Sequence, residues 1–178
     1  ESRDRKVGGL YPSLADGTMK EKRLGMVVRD SPSPAPVRYA FRSFDRQWIL
    51  ADNRLGDYLR PDLWNAHGDQ QLYLTSLFNH PLGTGPAVTT CAIVPDRHHY
   101  RGSYGGKDVL PLYRDAQAKT PNLLPRLLTP LSGAYSRVVT AEDFVAYVYG
   151  ILAQPAFTEQ FSVELESREV RVPITRAA

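Results

Sequence analysis

Thr140-Ala141-Glu142-Asp143-Phe144-Val145-Ala146-Tyr147-Val148-Tyr149-Gly150-Ile151-Leu152 is the stretch whose reading decides the fold. A threonine hydroxyl can accept a backbone N–H at the start of a helix, and an acid three residues later can return the bond. Thr140 and Asp143 stand at that spacing, and the apolar stripe Phe144, Tyr147, Val148, Ile151, Leu152 follows at helical period. Pro155 ends the element, and Phe157, Phe161 and Leu165 mark a further amphipathic helix. Arg171-Val172-Pro173-Ile174 closes as a short strand or extended tail. Upstream, Leu123, Leu124, Leu127, Leu128 and Leu131 also repeat at helical spacing, but Pro125 and Pro130 keep that helix short or irregular.

Before Pro121 the period changes from helical to two. Val37–Phe41, Gln47–Ala51, Leu72–Leu77, Val88–Val94 and Val109–Tyr113 read as strands, with one helical turn over Asp62–Ala66 behind Pro61. Residues 1–36 carry Gly8-Gly9, Pro12, Asp16-Gly17 and Ser31-Pro32-Ser33-Pro34-Ala35-Pro36, so they read as a poorly anchored Pro/Gly-rich arm with one short strand near Arg23–Val28. The expected fold is α+β: a mainly antiparallel mixed sheet over residues 37–115, then a helical unit over residues 121–166. Residues 37–178 make one domain on this reading.

Composition narrows the function. Apolar residues make up 42% of the 178, enough for a core. The longest apolar runs are about five residues, far from the ~18 that span a bilayer, and no signal peptide is visible. A chain starting at Glu1 is expected to be a piece of a longer one. The lone Cys91 excludes an internal disulfide and agrees with a reducing cytoplasm. Net charge is +3, and it is unevenly spread: residues 1–120 hold 17 Lys+Arg against 13 Asp+Glu, residues 121–178 hold 5 against 6. The basic character belongs to the strand-rich part.

The signatures of catalysis are missing. There is no P-loop, no GxGxxG behind a strand, and no Asn/Asp-Pro-Pro-aromatic motif of an amino methyltransferase. Cys91, Asp96, His98 and His99 lie close in sequence, but adjacent histidines on an extended chain face opposite ways and Cys91 sits in an apolar strand. No catalytic or metal-binding residue is therefore assigned. The loop Pro95–Lys107 differs in kind, because Arg97, His98, His99, Arg101, Lys107 and two tyrosines are interleaved with Gly102, Gly105 and Gly106. Arginine grips phosphate or guanine through its fork, and glycine permits close backbone approach. The competing reading is a solvated turn whose arginines pair with Asp96 and Asp108. In Phe41–Arg46, Asp45 is expected to pair an arginine while Phe41 and Phe44 pack beneath, with phosphate contact by Arg42 or Arg46 the rival; Arg114 completes the candidate DNA-binding set.

Several segments in order resemble one family. They are Arg38–Trp48, Asp52-Asn53-Arg54-Leu55, Arg60-Pro61-Asp62-Leu63-Trp64, Ile93–His99, Leu110-Pro111-Leu112-Tyr113, Thr140–Leu152 and Arg171-Val172-Pro173-Ile174. Over residues 37–176 the chain resembles the C-terminal specificity, or target-recognition, domain of type ISP single-chain restriction–modification enzymes. Ser43 departs from the proline usual in the broader group. The resemblance implies a cytoplasmic, bacterial, DNA-binding module, non-catalytic by itself. Its parent chain would join a nuclease, an ATP-driven translocase and an adenine-N6 methyltransferase using S-adenosylmethionine, ATP and Mg. Double-stranded DNA and the remaining domains of that chain are the expected partners, with no membrane. The alternative is a structural domain that docks on the methyltransferase or helicase part.

Overall fold

The computed structural model describes residues 9–10, 22–23, 34–51, 60–77, 85–100, 108–165 and 171–175. In chain order the elements are β1 (Gly9–Leu10), β2 (Lys22–Arg23), β3 (Pro36–Arg42), β4 (Asp45–Leu50) and α1 (Pro61–Asn65). Then come β5 (Tyr73–Ser76), β6 (Val88–Cys91), β7 (Asp108–Pro111), α2 (Leu128–Ala134), α3 (Ala141–Leu152), α4 (Pro155–Gln160) and α5 (Ser162–Leu165). The fold is α+β, strands first and helices after. The strands divide among separate sheets, β1-β2, β3-β4 and β6-β5-β7. The chain packs as two units, Glu1–Tyr39 with Arg46–Asn65, and Ala40–Asp45 with Ala66–Ala178.

In the first unit β1 and β2 form a two-residue antiparallel ladder, Gly9 opposite Arg23 and Leu10 opposite Lys22. The rest of the strand expected near Arg23–Val28 lies outside the described residues. Tyr39 stacks on Trp64 of α1 with centroids 6.2 Å apart, and the Arg38 guanidinium lies 5.1 Å from the Trp48 ring centroid. Pro61 opens α1, where its missing N–H costs nothing.

The second unit is built around β5, which pairs antiparallel with β6 on one side and β7 on the other. A central strand covered on both faces leaves no solvated side chain, and all four residues of β5 are buried. Two of them are polar, and each has a partner: Ser76 Oγ donates to the Ala87 carbonyl at 2.5 Å, and Thr75 Oγ1 bonds His99 Nδ1 at 3.0 Å. Gln71, also buried, spends its whole amide. Its Nε2 donates to the Ala66 and Tyr113 carbonyls at 2.6 and 2.9 Å, and its Oε1 accepts from the Leu72 and Tyr113 amides.

Helix α3 closes this core. Thr140 and Asp143 exchange reciprocal hydrogen bonds at its start, the capping box expected from the sequence. Its buried residues are Ala141, Val145 and Leu152, with Val148 packed against the same core, so the buried face shares Val148 and Leu152 with the expected stripe while Phe144, Tyr147 and Ile151 are half-buried. Tyr147 instead uses its hydroxyl on the C-terminal tail, donating to the Pro173 carbonyl at 2.6 Å and accepting from the Thr175 amide at 3.2 Å. The Ala87 amide donates to the Leu152 carbonyl at 2.8 Å, tying β6 to the helix end. The leucine-rich helix starts at Leu128, later than its apolar repeat, because Arg126 takes a left-handed backbone at φ 67° that a right-handed helix cannot include. Pro130 falls in its first turn, where no amide is needed, and Leu124 is left 77% exposed. Behind Pro155 the expected single helix is broken into α4 and α5, with Phe157 and Phe161 in ring contact at 4.8 Å.

Candidate nucleic-acid interface

The loop that follows β6 is anchored before it reaches its cationic stretch. The Ala40 amide donates to the Val94 carbonyl at 3.0 Å and the Asp96 amide donates to the Ala40 carbonyl at 2.8 Å, a parallel bridge between β3 and residues 94–96. Asp96 then organises the turn behind it. Its Oδ1 accepts the His98 amide at 2.8 Å and its carbonyl accepts the His99 amide at 3.0 Å. A short acceptor side chain two residues ahead of the amide it binds is the usual device for holding such a turn.

This turn sorts its side chains by direction. His99 is only 1% exposed, pinned to Thr75, and its carbonyl accepts the Ser43 hydroxyl at 3.1 Å. Tyr100 is buried as well and donates its hydroxyl to the Pro86 carbonyl. His98 is half-buried and Arg97 is exposed. His99 is thus core rather than loop surface, which corrects the expectation that it faces solvent with Arg97. The reason is a hydroxyl on a strand 24 residues away, a pairing that local spacing does not reveal.

Arg42 is turned toward the same turn. Its Nη1 makes an ion pair with Asp96 at 2.9 Å and donates to the Phe41 carbonyl at 2.7 Å, while its guanidinium lies 3.9 Å from the Phe41 ring centroid. Its side chain is 31% exposed, so one edge still faces water. The carboxylate that Arg42 pairs with is Asp96. Phe44, expected to pack beneath the turn, is 101% exposed.

Arg46 is exposed on β4 of the first unit, on the strand that also carries Trp48, 65% exposed. Arg114 is exposed in the segment after β7, and its Nε donates to Asn122 Oδ1 at 3.0 Å. Asp115 shapes that segment by accepting the amides of Gln117, Lys119 and Thr120 at 3.0, 3.1 and 2.7 Å. The Lys119 amide, with help from Thr120 and Gln117, holds its carboxyl below the usual range. Arg42, Arg97, His98 and His99 are therefore gathered at one turn, while Arg46 and Arg114 stand on other elements. Arg101 and Lys107 lie outside the described residues. Sequence reasoning missed the brace formed by Ser43 and Thr75; nothing in their local sequence signals it. Among the described residues no group of three or more His, Cys, Asp or Glu could hold a metal ion.

A family model, the type ISP C-terminal specificity domain, matches residues 14–178. No curated protein matches. Among solved structures, the chain is similar to one described as "cryoEM structure DrdV-DNA complex", with a TM-score of 0.56 and 20% identity. The likeness covers 78% of this chain and 13% of that one, so the chain spans about an eighth of its relative. At that identity the likeness is one of fold.

Proposed function

The chain belongs to the family of type ISP C-terminal specificity domains, and from that membership we propose that it recognises duplex DNA as the target-recognition module of a larger bacterial restriction–modification enzyme. Specificity domains are in general non-catalytic: they choose the target, and chemistry is done elsewhere. The S-adenosylmethionine, ATP and Mg that such chemistry needs belong, on this reading, to other modules of a cytoplasmic parent chain with adenine-N6 methyltransferase, nuclease and translocase activity. No helix among the described residues is long and apolar enough to cross a membrane.

The family match over residues 14–178 carries this reading. The turn at Asp96 supports it. A loop meant to approach a groove must be held at its base while its cations stay outside, and this turn buries His99 and Tyr100 while leaving Arg97 exposed. Arg97, Arg101 and Lys107 are the proposed core of the contact, with Arg42, Arg46, Arg114 and the half-buried His98 as further contacts.

Arg97→Ala in the intact protein tests this, with binding measured on several duplexes across a salt series. A phosphate contact predicts weaker binding to all sequences alike and a salt slope shallower by about one. A base contact predicts a loss of about 1–3 kcal/mol and relaxed choice at one position. If Arg97→Ala and Arg101→Ala both leave affinity, slope and preference unchanged, the loop is a structural turn. Docking on the parent chain is the second reading, favoured by two apolar grooves on the helical part, one lined by Leu131, Phe144 and Ile174 and one by Phe157, Phe161 and Val172.

A further inference from the structure

A phenylalanine that leaves its whole ring in water at the apex of a tight turn gains nothing for its own fold. Phe44 does so at 101% exposure, in the turn between β3 and β4. A mobile turn would let such a ring fold back onto apolar surface. This turn is held on its β3 side by three independent ties. The Ser43 hydroxyl donates to the His99 carbonyl at 3.1 Å, Arg42 pairs with Asp96 at 2.9 Å, and both backbone groups of Ala40 are bonded to residues 94 and 96. The neighbouring Phe41 is not presented in the same way, because the Arg42 guanidinium covers its ring at 3.9 Å. The result is one apolar ring on a stiff stem. Its stem and Arg97 are fastened to the same turn, residues 96–99.

We propose that Phe44 is a wedge that enters duplex DNA between two base pairs, beside the contacts made by Arg97. The proposal rests on the reading of the chain as a DNA-recognition module and adds to it a residue that acts without hydrogen bonds. Shape selects the partner. A protein-docking surface needs contiguous apolar area, whereas Phe44 has Ser43, Asp45 and Arg46 as its chain neighbours. A single ring flanked in the chain by polar and charged residues fits a gap one ring thick, and apolar wedges of this kind unstack a base step and bend the duplex. The gain is favourable stacking of the ring on a base.

The experiment uses the intact protein and a random-sequence duplex pool from which it selects its own site. Wild type, Phe44→Ala, Phe44→Leu and Arg97→Ala are compared on the selected duplex, with 2-aminopurine placed in turn at each step. Phe44→Ala is expected to weaken binding by about tenfold with an unchanged salt slope, since no phosphate contact is lost. Phe44→Leu keeps most of the affinity. Wild-type binding raises 2-aminopurine fluorescence at the step the ring enters, apart from any rise at a base that the methyltransferase flips out, and Phe44→Ala abolishes the first rise alone. Thermal melting is the same for both, because the ring is fully exposed in this chain. If Phe44→Ala binds and unstacks DNA like wild type while Arg97→Ala is impaired, the wedge is wrong and DNA recognition stands. If wild type selects no duplex, both readings fall. If Phe44→Ala leaves DNA binding intact but lowers the melting temperature of the intact protein, the tip docks on protein instead.

Discussion

Gly68 shows how much depends on a single backbone approach. A Cβ built there would lie 2.1 Å from the Ala116 carbonyl oxygen, a contact no side chain tolerates. Residue 116 belongs to the Asp115-ordered segment, so the clash would push that segment off the residues beside Gln71. Gly68→Ala is expected to cost about 1–3 kcal/mol in denaturant unfolding; unchanged stability would show that the segment is not seated there. Such a contact between distant residues cannot be read from a sequence. The same holds for Gln71 and His99, both polar and both buried by partners far along the chain. His98 and His99 sit in a turn rather than on extended backbone, so the alternation read from their adjacency does not apply to them. That His99 is the fully buried one was not legible: Thr75 decides it. Phe44 is the reverse error, an apolar residue assigned to the core by its chemistry and left outside by a stiff turn.

At the level of elements, the start of α3 was legible because a capping box is local, whereas its buried face depends on what it packs against. One packing contact couples that helix to pH. Tyr113, buried beside β7, donates its hydroxyl to Glu142 in the first turn of α3. That bond is the main cause that holds the Glu142 carboxyl below its ordinary range. Burial first, then the same bond and the glutamate charge, push the Tyr113 hydroxyl from 10.0 up to about 12. The signs oppose. For Glu142, a depressed folded value means the stabilisation is present above the unfolded carboxylate value and is lost as pH falls through the folded one. For Tyr113, a raised folded value means it is complete below pH 10.0 and is lost as pH rises toward about 12. Tyr113→Phe is expected to lower stability at neutral pH by about 1 kcal/mol, a modest figure because Glu142 is solvent-exposed. It should also flatten the stability profile at both ends of the pH range. Urea titrations at acid, neutral and alkaline pH check this, and an unchanged profile would mean the bond does not persist in water.

For the molecule as a whole, the order of strands before helices was legible from the change of hydrophobic period near Pro121. The division of strands among three sheets in the described residues was not, since pairing is set by contacts between residues far apart, such as Tyr73 with Cys91 and Pro111. The cationic set was legible as a composition, but its internal contacts were not, since Arg42 pairs with Asp96 and His99 bonds Thr75. Arg97 is exposed at the same turn, and Phe44 stands exposed on the braced stem. The central claim is that this chain chooses the DNA site for the protein that contains it. A DNA-protection footprint of the intact protein, with and without residues 14–178, tests that most directly. The account predicts a discrete protected site for the intact protein that disappears when the segment is removed. An identical footprint from the truncated protein would contradict it.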